Sequence, residues 1–71
     1  MALNISKQLN IRNRIADVHE NIAKNYNFTH KYNDALKHID SCRAIRTIIG
    51  DEEGLISATL VSSQIFFNQK N

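Results

Sequence analysis

The sequence predicts an all-α protein built from antiparallel helical hairpins, and three observations carry that expectation. Apolar residues recur at i, i+3 and i+4 over windows of several turns. There is no proline, and the only two glycines, Gly50 and Gly54, lie close together. The 71 residues, 42% of them hydrophobic, suffice for one small domain.

The best-defined helix spans about 33–49. Ala35, Leu36, Ile39, Cys42, Ile45, Ile48 and Ile49 keep the helical period through it. Asp34 lies in its first turn and Arg43 and Arg46 in later ones, as the helix dipole favours. Gly50 supplies the left-handed stop. Before it, Ile15, Val18, Ile22, Ala23 and Tyr26 predict a helix over about 13–27. The short link 28–31 then implies an antiparallel hairpin. Asp51-Glu52-Glu53 opens a third helix, over about 51–69, through Leu55, Ile56, Ala58, Leu60, Val61, Ile65, Phe66 and Phe67. Its apolar residues cover more than one face, which calls for neighbours on two sides. Leu3, Ile5, Leu9 and Ile11 suggest a short separate helix over 1–12, with a break favoured near Asn10–Asn13.

Composition narrows the function classes. A domain this short buries only about 60% of the surface its unfolded chain exposes. Stability must come from regular helix packing or a partner chain, since the single cysteine, Cys42, forms no internal disulfide. His19, His30 and His38 are too far apart in sequence for zinc-site spacing, so no metal and no cofactor are expected. A net charge of +2 without a basic stripe disfavours nucleic acid as a partner. No apolar run approaches a membrane span, and no signal-peptide core opens the chain. With a free thiol, this points to the cytoplasm.

A shift of forty residues sets Ile5 against Ile45, Leu9 against Ile49, Ile15 against Leu55, Val18 against Ala58 and Tyr26 against Phe66. Within one period, His19-x2-Ile22-Ala23-x2-Tyr26, then Tyr32, Ala35-x3-Ile39 and Cys42, resembles the tetratricopeptide repeat. The resemblance, to the longer bacterial-type variant, covers about 15–54 and the flanks in part. His19, Thr59, Ser62 and Ser63 depart from the pattern. It implies an α-α superhelix whose small contact positions are Ala23, Ala35 and Cys42, with Ile22, Tyr26, Tyr32 and Ile39 as wedges. An ordinary three-helix bundle would show the same stripe.

Nothing in the sequence supports an enzyme. Arg14-Ile15-Ala16-Asp17-Val18-His19-Glu20 is similar to the phospho-accepting helix of sensor kinases, but the histidine is one residue early, about 100° round the helix. A histidine packed at the edge of a helix pair explains it better. Cys42 falls on the buried stripe, with Arg43 and Arg46 expected to point away from it. The acidic 51–53 run complements the helix dipole.

What remains is a surface for another polypeptide. The repeat resemblance implies a concave groove lined by Asp17, Glu20, Asn21, Lys24, Asn27 and Phe28; Glu20 stands where a carboxylate-clamping lysine belongs. A solvated helix face is the plainer explanation of the same residues. The third helix suggests self-association, with a dimer favoured, through Leu55, Ile56, Leu60, Val61, Ile65, Phe66 and Phe67, because one hairpin cannot bury them all. The chain ends where the pairing helix of the next repeat is expected. The alternatives are a helical nucleic-acid-binding regulator using Arg12, Arg14, Arg43 and Arg46, and a fragment of a longer repeat array.

Overall fold

The computed structural model describes residues 2–70, with side chains described over 10–70. Three helices follow one another: α1 (Ala2–Phe28), α2 (Tyr32–Ile49) and α3 (Glu52–Lys70). The chain is therefore all-α, and a three-residue link folds α2 back on α1.

Both helix stops are the same device. At the end of α1, Lys31 N–H donates to Tyr26 C=O at 2.8 Å and His30 N–H to Asn27 C=O at 3.2 Å. At the end of α2, Asp51 N–H donates to Arg46 C=O at 2.9 Å and Gly50 N–H to Thr47 C=O at 3.3 Å. Each pair is a Schellman closure, which needs one residue in the left-handed region. Gly50 takes that position with φ +72°, and His30 takes it with φ +66° despite its side chain. Asp51 then caps α3: its Oδ1 accepts from Gly54 N–H at 2.9 Å, and Glu52 and Glu53 fill the first turn.

The expected break near Asn10–Asn13 is absent, since α1 runs unbroken from Ala2 to Phe28. Asparagine lowers helix propensity only mildly, and no glycine or proline interrupts the stretch. The side chains of Leu3, Ile5 and Leu9 lie outside the described residues.

The core is narrow and made largely of small residues. Ala16 and Ala23 of α1, Ala35, Ile39 and Cys42 of α2, and Ala58, Val61 and Ile65 of α3 are buried. Tyr26, Tyr32, Leu36 and Ile45 pack around them. Alanines at the α1–α2 contact let the two backbones approach closely. Ile15, Val18 and Ile48, expected on buried stripes, are exposed instead. On α1 the inward face is set by Ala16 and Ala23, with His19 and Glu20 half-buried beside them.

The burial pattern also corrects the forty-residue offset. Val18 is exposed where Ala58 is buried, so those positions are not equivalent. A shift of forty-two pairs Ala16 with Ala58 and Ala23 with Ile65, all buried. Two residues are about 200° of helix, enough to exchange the inner face for the outer one. α1 and α3 run parallel and touch each other directly. Glu20 meets Ser57 and Asn27 meets Asn68. The helices make a slab whose Cα extents are 49 × 18 × 12 Å.

Candidate functional site

Three features stand out: a buried arginine beside the α2–α3 turn, a polar cleft beside the α1–α2 turn, and an apolar outer face on α3. Arg46 continues the Ala35, Ile39, Cys42 stripe by one turn, and so it points inward. Its Nη2 donates to Asp17 Oδ1 at 2.8 Å and its Nη1 to Glu20 Oε1 at 3.0 Å, both on α1. Nη1 also donates to the Gly54 carbonyl of α3 at 2.8 Å. Asp51 Oδ2 lies 3.9 Å from Nε, beyond hydrogen-bond reach, and Nε is buried without a partner.

The network therefore joins all three helices. Ser57 Oγ donates to Glu20 Oε1 at 2.9 Å, and Lys24 Nζ lies 3.7 Å from Glu20 Oε2. Burial pushes the Glu20 carboxyl up. The hydrogen bonds from Arg46 and Ser57, with the charges of Arg46 and Lys24, outweigh it and hold the group below its ordinary 4.5. Burial likewise works against the Arg46 charge, yet its acidic partners keep the guanidinium above its ordinary value.

This overturns two expectations. Arg46 does not point away from Cys42; the two are four residues apart on one face, close enough for the Arg46 charge to act on the thiol. Burial is the larger influence, and it pushes the Cys42 thiol up. Nor is Arg46 available to a nucleic acid, because its side chain is only 5% exposed and its NH2 groups are already bonded.

Of the expected groove residues, Asp17 and Glu20 are occupied by Arg46. Asn21 is exposed and outside the cleft. Lys24, Asn27 and Phe28 do come together, lining an open cleft of about 940 Å³ with His30, Tyr32, Gln64 and Asn68. Asn68 Nδ2 donates to Asn27 Oδ1 at 3.0 Å across the cleft floor, and Phe28 stands at the lip, 85% exposed.

The proposed self-association residues divide by helix face. Val61 and Ile65 are buried against the hairpin within the chain, so they are not free for a second copy. Leu55 is half-buried and Phe66 is exposed on the flank. Ile56, Leu60 and Phe67 are 63%, 61% and 68% exposed. Their spacing of four and seven puts them on one line, opposite Ala58, Val61 and Ile65. Leu60 and Phe67 also line a shallow groove of about 470 Å³ with Ser63, Gln64 and Asn68.

Sequence spacing separated the histidines, but the hairpin brings two of them together. His19 Nδ1 lies 3.0 Å from His38 Nδ1 between α1 and α2. The Tyr26 ring stacks on His38, with centroids 5.6 Å apart and planes 26° from parallel. Among the described residues no group of three or more His, Cys, Asp or Glu is placed to hold a metal. No described helix is long and apolar enough to cross a membrane.

No family model, curated protein or solved structure matches this chain.

Proposed function

We propose that the chain is a non-enzymatic protein-interaction module of the tetratricopeptide type, and that it self-associates through the outer face of α3. The observation that carries this reading is the line Ile56, Leu60 and Phe67, each more than 60% exposed and directly opposite the core. Fully burying a side chain of this size contributes roughly 1.5–3 kcal/mol. A second copy offers an equal apolar line, so the contact can be isologous. The family resemblance is supported by Ala23, Ala35 and Cys42, all fully buried where the motif's small positions fall. The forty-two-residue burial register weighs against a strict forty-residue repeat.

Multi-angle light scattering over a concentration series tests the proposal. The wild-type chain is expected to form dimers at high micromolar concentration, and Leu60→Asp to remain monomeric with unchanged helicity. A wild-type chain that stays monomeric throughout overturns self-association.

The cleft supports a second reading, a peptide site used by a different protein. Lys24, Asn27 and Asn68 provide polar contacts on its floor and Phe28 an apolar one at its lip. A Phe28→Ala, Lys24→Ala variant that loses a partner while keeping its dimer would separate the two surfaces. The nucleic-acid reading is weakened, since it now has only Arg12, Arg14 and Arg43 exposed.

A further inference from the structure

We infer that His19 and His38 form a two-histidine site for a late first-row divalent cation, bridging α1 and α2. The distance is the first argument. Metal–imidazole bonds of 2.0–2.1 Å place two nitrogens about 2.9 Å apart at a right angle and about 3.4 Å apart at the tetrahedral angle. The two Nδ1 atoms are 3.0 Å apart, inside that interval.

The second argument is chemical. A direct Nδ1···Nδ1 hydrogen bond needs one ring to donate and the other to accept, so the accepting ring is neutral. When the donor ring is neutral too, moving its proton to its own Nε2 leaves both Nδ1 lone pairs free without any net proton loss. Small rotations of the two rings then aim both at one point beside the present N–H···N line. The rings are already tilted by 32° with centroids 5.2 Å apart.

The third is preorganisation. Tyr26 stacks on His38, and both histidines project from the middle of long helices, not from a loop. Ligands on rigid elements lose less freedom on binding. Both rings are half-buried, which leaves a side open for water to complete the coordination shell. Two imidazoles without thiolate or carboxylate suit Ni²⁺, Cu²⁺ or Zn²⁺ better than Mg²⁺ or Ca²⁺, with Cu²⁺ bound most tightly.

Isothermal titration of the full chain with Ni²⁺, and separately with Zn²⁺, tests the site. One equivalent is expected to bind. His19→Gln and His38→Gln should each weaken binding at least tenfold, and His30→Gln should leave it unchanged. Far-UV circular dichroism checks that each variant is folded. Because the ion binds only the closed hairpin, saturating Ni²⁺ should also raise Tm in the wild type and not in His38→Gln. The inference is overturned by a wild type that binds neither ion. It is equally overturned if folded His38→Gln binds as tightly as wild type, or if affinity is lost only in Cys42→Ser.

Discussion

Arg46 Nη2 donates to Asp17 Oδ1 at 2.8 Å, tying α2 to α1 across 29 residues of sequence. The two partners are unequal. The arginine side chain is 5% exposed, and the aspartate 59%. Glu20, the other acidic partner on α1, is 12% exposed.

That inequality predicts different losses on mutation. Arg46→Ala leaves the largely buried Glu20 with Ser57 and the more distant Lys24 as partners, and should destabilise the chain by about 3 kcal/mol. Asp17→Asn removes a charge already screened by water and should cost less than about 1 kcal/mol. A domain of this size has a total stability of only about 4–10 kcal/mol. Urea unfolding followed by circular dichroism checks both values, and equal losses would contradict this account of the network.

The same network sets a pH dependence. Glu20 is held below its ordinary 4.5 in the folded chain, so the unfolded chain takes up its proton first as pH falls. Its contribution is complete above about pH 4.5 and disappears as pH drops through the lowered folded value. Wild-type stability should therefore fall across that acidic window. Glu20→Gln should start less stable at pH 7 and show a shallower acid slope. Thermal melts between pH 3 and 7 measure it.

Gly54 abuts the arginine. A Cβ there would collide with Asp51 Oδ2 and lie 2.7 Å from Arg46 Cδ and Nε. Alanine has the better helix propensity by about 1 kcal/mol, yet Gly54→Ala should destabilise, because it displaces the guanidinium. In Arg46→Ala the same substitution should cost less, since only the collision with Asp51 then remains. A double-mutant cycle reads this coupling directly.

His30 is the reverse case. It holds φ +66° at the position where the matching turn uses glycine. Among the described residues its side chain bonds Tyr32 Oη alone, at 2.7 Å and at an exposed site. His30→Gly should therefore raise stability by about 0.5–1 kcal/mol, seen as a higher Tm.

Cys42 is fully buried and its thiol is pushed up by burial. Modification by a thiol reagent at pH 8 should be slow in the native chain and rise steeply in urea, tracking the opening equilibrium. Rapid native labelling would contradict the packing described.

The fold was largely legible because it rests on local signals. Gly50 stops α2, Asp51 starts α3, and Ala35, Ile39 and Cys42 mark an inward stripe that needs no knowledge of its partner. Misplaced faces arose where apolar residues outnumber the buried positions. On α1 a reader prefers Ile15 and Val18, while Ala16 and Ala23 win because small residues let the helices meet. The Arg46 site was concealed differently. Its partners are 26 and 29 residues away, and charge argued for the surface. The one available signal was period: Arg46 falls four residues beyond Cys42 on the same stripe. Sequence distance separates His19 from His38, and the hairpin cancels that distance.

The slab form of the three helices governs how the chain moves through solvent. A compact chain of this length has a radius of gyration of about 11 Å, whereas this one has 13.1 Å. Its frictional drag exceeds that of a sphere of equal mass, so a gel-filtration column will report a monomer as too large. Diffusion and sedimentation must be measured together: drag from elongation slows both without adding mass, whereas pairing doubles the mass that their ratio yields.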